Sequence, residues 1–235
     1  MRRPDTSWAR GSAASVVREA MLFGLFSPLI DAYTRGEVFG REHLAAATAP
    51  VLFVANHSSH MDTPVILRAL PREWRRRTAV AAAADYFYRV PWLANAVSLA
   101  FNTVPVERKG AADDAAAELV RLIAGGWSIV VFAEGTRSRD GRVGRLHSGA
   151  ALLAAEHGLA MVPVLVSGTH AVMPPGRRWM KRGRRRQPIA VHFGPAVRPG
   201  DREHRTETME RVRLFFEESG ASTTRDRRVA ARRTA

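Results

Sequence analysis

The sequence predicts an α/β fold: a layered domain with a largely parallel mixed sheet flanked by helices, preceded by an N-terminal amphipathic helical segment. Three observations predict it. From residue 50 onward, strand-length apolar runs alternate with helix-length stretches, the pattern of strands buried between layers of helix. Two of those runs empty directly into polar turns carrying His, Asp, Glu and Gly, and ligands of open α/β sheets sit at the carboxyl ends of strands. The chain has 235 residues at 46% hydrophobic content, enough for one globular domain with a substantial core.

Taken in order, the first thirty residues set basic groups ahead of an apolar segment, as a signal peptide does. The longest apolar block, Ala20 to Ile30, is 11 residues interrupted by Gly24, Ser27 and Pro28, short of the roughly 20 that span a bilayer. No small-residue cleavage site clearly follows it. The segment reads as an amphipathic helix over roughly 13 to 34, either docked on the domain or lying in a membrane interface. Residues 51 to 55, "VLFVA", form a short buried strand, and 64 to 70 a helix that Thr63 caps and Pro64 opens. Residues 78 to 83 and 102 to 108 are extended, 113 to 126 an Ala-rich helix stopped by two glycines, and 128 to 134, "SIVVFAE", another buried strand. A helix over 147 to 158 and strands over 161 to 168 and 188 to 194 complete the alternation. The expected organisation is a membrane-associating segment over 1–35, a catalytic domain over 36–220 and a basic disordered tail over 221–235, which lacks apolar periodicity.

Charge and cysteine narrow the chemistry. With 36 Lys and Arg against 22 Asp and Glu, the net charge is +14, which favours an anionic partner: nucleic acid, a membrane surface or a phosphorylated substrate. The basic runs lack interleaved aromatics, and no helix-turn-helix, zinc or RNA-binding signature accompanies them, so nucleic acid is not expected. Cysteine is absent, which removes disulfides, thiolate metal sites and a cysteine nucleophile and fits a reducing compartment.

The stretch "FVANHSSHMDTPVI", residues 53 to 66, sets His57, His60 and Asp62 in a strand-to-helix turn. A histidine titrates near neutrality, and a nearby carboxylate fixes its tautomer and stabilises the imidazolium formed when it takes a proton. The turn alone is equally compatible with plain helix capping. Its three potential metal ligands match no defensible zinc spacing, and no serine has glycine at both flanking positions of a nucleophile elbow. A second stretch, "VVFAEGTRSRDG" at 131 to 141, is again a buried strand opening into a turn, with Glu134, Gly135, Thr136 and Arg137 in succession. Glycine lets backbone amides approach a ligand, and the arginine fork suits phosphate.

Together these stretches resemble the glycerolipid acyltransferase family of the 1-acyl-sn-glycerol-3-phosphate acyltransferase type. The N-H-x-x-x-x-D block is matched by Asn56, His57 and Asp62, and the F-x-E-G-T-R-S block by Phe132 to Ser138. An F-x-x-R-like block is matched loosely by "VPVER" ending at Arg108, and a proline-containing strand by "MVPVLVSG" with Pro163. The resemblance covers roughly residues 36 to 198. His147 departs from it, standing where the family often has a lysine or arginine, and Val104 and Val106 replace a commoner aromatic and isoleucine.

The resemblance implies acyl transfer from an acyl thioester, acyl-CoA or acyl-carrier protein, to the free hydroxyl of lysophosphatidic acid, giving phosphatidic acid, with no cofactor and no metal. It implies His57 as base and Asp62 as its orienter, and substrate binding by Arg108, Glu134, Gly135, Thr136 and Arg137. Oxyanion donors are expected from backbone N–H groups around Gly135 or in the 147 to 150 turn. Within the family the acceptor could instead be glycerol 3-phosphate, another lysophospholipid or a lyso-aminolipid; outside it stand a nucleic-acid-binding protein and a catalytically silent membrane module. The expected location is the cytoplasmic face of the cell membrane, on an anionic lipid surface; the Arg-rich run 176 to 186 reads first as a solvated loop, and its functional alternative is contact with anionic headgroups.

Overall fold

The structure, a computed structural model, describes residues 5–84, 90–106, 112–181, 183–200 and 204–221, with only the backbone for 112–116. Its strands are β1 (Thr34–Phe39), β2 (Val51–Ala55), β3 (Thr78–Ala83), β4 (Thr103–Val106), β5 (Ser128–Phe132), β6 (Ala160–Ser167) and β7 (Gln187–Phe193). They form one seven-stranded sheet in the order β1-β7-β6-β2-β5-β3-β4. Strands β2 to β6 run parallel, whereas β7 pairs antiparallel with β6 and carries β1 along in parallel. The carboxyl ends of β2, β5 and β6 therefore lie side by side.

The core explains why β2 reads as a continuous apolar run. All five of its residues are buried, and successive side chains point to opposite faces of the sheet. Val51, Phe53 and Ala55 join a cluster with Ile66, Leu70, Trp74 and Phe193, while Leu52 and Val54 join the other face with Leu122, Ile129, Met161 and Phe216. The Phe53 ring meets Trp74 and Phe193 edge-on at 5.7 and 6.5 Å. Truncating it to alanine is expected to cost about 3–5 kcal/mol.

Several expectations shift. The helix expected to be capped by Thr63 and opened by Pro64 starts at Asp62 and runs to Ala69, and the Asp62 carboxylate accepts the backbone N–H groups of Ser58 and Ser59 in the turn before it. The helix expected from residue 147 starts at Gly149. Helices at Pro91–Phe101 and Arg205–Glu218 and the edge strand β1 were not foreseen. In β1 only Thr34 is buried, so it carries no apolar alternation to read. Arg108 and residues 222–235, the body of the expected basic tail, lie outside the described residues.

The N-terminal helix is longer than its apolar block suggested. It is continuous over Ser12–Tyr33, 22 residues, and is long and apolar enough to cross a membrane by length and composition. It is nonetheless fastened to the domain along its length. Buried Arg18 donates to the carbonyls of Leu99 and Ala9, Glu19 pairs with Arg75 at 2.6 Å, and Asp31 pairs with Arg68 at 2.7 Å. Phe26 packs on Phe101 at 5.1 Å. Its other side exposes Val16, Val17, Phe23 and Leu25.

Candidate active site

The turn after β2 is held from three directions. Asn56 continues the β2–β6 ladder with its side chain: its Nδ2 donates to the Val166 carbonyl at 2.9 Å and its Oδ1 accepts from the Val166 N–H at 2.7 Å. Asp62 sits at the first turn of its helix, fully buried. Its Oδ2 accepts from the N–H of Ser58 at 2.7 Å, from the N–H of Ser59 at 2.8 Å and from His57 Nδ1 at 2.9 Å. Its Oδ1 accepts from the hydroxyl of Thr169, just past β6, at 2.5 Å. Acceptor-only contacts of this kind define an ionised carboxylate. They put the imidazole proton on Nδ1 and leave Nε2 with its lone pair.

The imidazole is also fixed in plane. It stacks on Phe132, the last residue of β5, with ring centroids 3.9 Å apart and planes 20° apart. Its backbone N–H donates to Glu134 Oε1 at 2.9 Å, and its carbonyl accepts from the Ser138 N–H at 2.8 Å. The two turns are thus stitched to one another through His57.

Glu134, expected to bind substrate or to order its own loop, ties loops together. Oε1 takes the His57 amide and Oε2 the Gly144 amide, each at 2.9 Å, and the residue is buried. Burial pushes its carboxyl up to about 7, against the pull of those two amides. Gly135 has φ of +67°, a left-handed turn that glycine enters without strain. Its N–H donates to the Phe132 carbonyl at 3.0 Å, and the His147 N–H donates to the Ala133 carbonyl at 2.8 Å. Those two amides, both among the expected oxyanion donors, are thereby engaged in holding the loop. In the same expected turn, Gly149 and Ala150 open the Gly149–Glu156 helix, where first-turn amides have no intrahelical partner.

A cavity of about 670 Å³ adjoins His57. One part is polar, with His57, His60, Thr136 and Arg137; the rest is apolar, with Val80, Leu93, Val97, Phe101, Val106 and Leu119 from β3, β4 and the helices beside them. Gly149, Ala150 and Met173 also line the cavity. Burial, reinforced by the Arg137 guanidinium and by His57, holds His60 down at about 4, so it is neutral at pH 7. The structure thus brings His57, Asp62, Glu134, Gly135, Thr136 and Arg137 together, with Arg108 outside the described residues. The sequence reading missed Thr169 and Phe132 as partners of the Asp62–His57 pair. Thr169 signals itself in the sequence only by position, just past the end of a strand that proves to neighbour β2, whereas Phe132 also opens the F-x-E-G-T-R-S block.

A base with a fixed tautomer, an apolar slot beside it and an arginine across from it suit removal of a proton from a hydroxyl near a long apolar chain. The chloroplastic 1-acyl-sn-glycerol-3-phosphate acyltransferase LPAT1 of Arabidopsis thaliana is 32% identical over 141 residues, 58% of this chain and 37% of that protein. The chloroplastic BAT2 of Brassica napus, of the same name, is 30% identical over 148 residues, 61% of this chain and 40% of that protein. The chain therefore matches less than half the length of these relatives. The crystal structure of the 1-acyl-sn-glycerophosphate (LPA) acyltransferase PlsC from Thermotoga maritima superposes with a TM-score of 0.65 at 26% identity, over 95% of this chain and 86% of that one. The Acyltransferase family matches residues 35–167, from the start of the sheet to the end of β6, and the chain belongs to that family.

Proposed function

We propose that this protein esterifies 1-acyl-glycerol-3-phosphate at its free hydroxyl, giving phosphatidic acid, with an acyl thioester as donor. The observation that carries this reading is the His57–Asp62 pair standing where an apolar slot meets Arg137. Nε2 of His57 takes the hydroxyl proton as the hydroxyl oxygen attacks the thioester carbonyl. The tetrahedral oxyanion is met by the first-turn amides of Gly149 and Ala150. On collapse the C–S bond breaks, and the imidazolium returns the proton to the leaving thiolate. Asp62 stabilises that imidazolium without taking its proton. No covalent acyl-enzyme is required. The acyl chain lies among Val80, Val97, Phe101 and Leu119, and Arg137 grips the acceptor phosphate by charge-assisted hydrogen bonds, holding the hydroxyl beside His57. Arg108 is its proposed helper, while Glu134 acts by holding the loop that carries Arg137.

The relatives' names support the acceptor; the donor is proposed as acyl-CoA or acyl-carrier protein on chemical grounds alone. The protein is further proposed to lie on an anionic membrane surface at the cytoplasmic face. Support comes from the exposed Val16, Phe23 and Leu25 of the N-terminal helix, from exposed Trp92 and Trp179, and from the Arg-rich 176–186 loop, which reaches that helix through Trp179 Nε1 to the Tyr33 hydroxyl. Aromatic and apolar groups flanked by cations favour such an interface. The test is to incubate the purified protein with a panel of lysolipids, glycerol 3-phosphate and both donor types, and to identify products by mass. Phosphatidic acid from lysophosphatidic acid is expected as the dominant product. Preferential acylation of glycerol 3-phosphate or of a lyso-aminolipid would transfer the reading to that acceptor, and the absence of any acyl product would overturn it.

A further inference from the structure

We propose that a second cavity, beside the first and separated from it by His147, receives the phosphopantetheine arm of the acyl donor; this rests on the acyl-transfer reading above. The cavity encloses about 360 Å³ between the 143–148 loop and the Arg205–Glu218 helix, with Leu146, His147, Ser148, Thr206, Met209 and Glu210 among its walls. His147 also lines the first cavity, and Ser148 of the second is followed directly by Gly149 of the first. A ligand whose reacting carbon lies beside His57 therefore has its next stretch of chain, on leaving the first cavity over His147, delivered into the second.

The chemistry of the walls fits that arm. Between thioester and phosphate, pantetheine is an uncharged chain with two amides, a hydroxyl and a pair of methyl groups. The second cavity offers the apolar surfaces of Val143, Leu146 and Met209 beside the hydroxyls of Ser148 and Thr206 and the Glu210 carboxylate. Its charges are largely balanced internally, since Arg213 is paired with both Glu210 and Glu217. A neutral, hydrogen-bonding chain suits such walls better than a bare phosphate does. Arg145, exposed, lines the cavity and half-buried Arg142 precedes it in the loop, and they stand where the arm's phosphate would emerge. The loop is also held in register with the reacting centre. Gly144 donates to Glu134, which takes the His57 amide on its other oxygen, and an added Cβ on Gly144 would lie 2.9 Å from Glu134 Oε2. The proposal thus separates the substrates: acceptor phosphate on the Arg137 side, donor carrier on the Arg145 side.

The test uses donors of graded length with the full chain: palmitoyl-CoA, palmitoyl-acyl-carrier protein, and palmitoyl-N-acetylcysteamine, which ends before the second cavity. Thr206→Trp, at an exposed rim position, fills the cavity without touching the core. It is expected to raise KM roughly tenfold or more for at least one of the two long donors. KM for the truncated donor and for lysophosphatidic acid should stay within about twofold. A response of palmitoyl-CoA alone, or of the carrier protein alone, identifies the natural donor. Arg145→Ala should weaken phosphate-bearing donors in the same selective way. Equal losses with long and truncated donors, a change in the acceptor KM alone, or no change with any donor overturns the proposal. Calorimetry with coenzyme A keeps the site apart from the reaction. Measurable binding by the wild type that Thr206→Trp weakens supports the site even if no phosphatidic acid is made. Binding unaltered by Thr206→Trp, or none at all together with unchanged donor KM values, counts against it.

Discussion

The turns that leave β2 and β5 begin alike, each at the end of a buried strand, and they diverge within three residues. In the first, Asn56, Ser58, Ser59 and Asp62 are all buried. Their polar atoms meet partners in β6, in the next helix and, through Ser59 Oγ to the Met173 carbonyl at 2.8 Å, in the segment beyond Thr169. In the second, only Ala133 and Glu134 are buried, and Gly135, Thr136, Arg139 and Asp140 face solvent. On the proposed reading, the difference follows from what each turn is asked to hold. A base must stand within about 0.5 Å of its working pose, which takes a surrounding shell that over-determines it. A phosphate-binding arginine must meet a ligand arriving from solvent, which takes an open loop fastened only at its root. Glu134 is that root.

The largest way to break the comparison is to strike the rigid turn. Asp62→Asn places an amide N–H₂ among donors that all aim at its oxygens, freeing the His57 tautomer. By analogy with the roughly 10⁴-fold loss on neutralising a serine protease triad's aspartate, kcat should fall by several orders of magnitude while circular dichroism stays native. His57→Ala should abolish turnover. A folded Asp62→Asn protein with near-normal kcat would mean that the over-determined turn serves stability only.

Striking the open turn should do less and do it differently. Arg137→Ala should lower kcat/KM for lysophosphatidic acid by roughly ten- to over a hundredfold, the value of about 1.5–3 kcal/mol in lost charge-assisted bonding. KM for the donor should hardly move, and lysine should rescue only in part, since a point charge lacks the planar fork. An equal loss with an acceptor lacking phosphate would show that Arg137 supports the loop instead.

Thr169→Val sharpens the comparison from a third strand. It keeps the volume but withdraws the hydroxyl from Asp62 Oδ1, leaving a buried carboxylate oxygen short of a donor. About 1.5–3 kcal/mol of stability should be lost in a denaturant titration, with kcat reduced more than KM because the orienter of the base is disturbed.

The smallest effect concerns the root of the open turn. Glu134 is an acid whose carboxyl rises from its ordinary 4.5 to about 7 on folding, so between those values the folded state holds more protons than the unfolded one. Unfolding free energy should therefore fall as pH rises through that window, by on the order of 1–3 kcal/mol. Glu134→Gln should flatten this part of the profile. An unchanged profile would mean that Glu134 is ionised throughout and the root is held by charge.

Much of this was legible in the sequence because it is local. The strands at 51–55, 78–83 and 128–134 were readable as unbroken apolar runs, since a strand covered on both faces needs nothing else, and the two polar turns were readable as the residues that follow. Even His57 and Asp62 were a legible pair, because five residues across a strand-to-helix turn bring a histidine and a carboxylate within reach. What tertiary structure alone decided is who stands beside whom. The β6–β2–β5 order carries Thr169 and Phe132 to the Asp62–His57 pair and makes Glu134 the brace between two turns separated by over seventy residues in the chain. The exposed β1 left no periodic signal, because an edge strand is chosen by its neighbour's backbone and not by its own side chains. A sequence states which groups it has and what each stretch prefers locally; contacts between distant stretches are fixed only when the hydrophobic faces close on one another and leave each buried polar atom to find its partner.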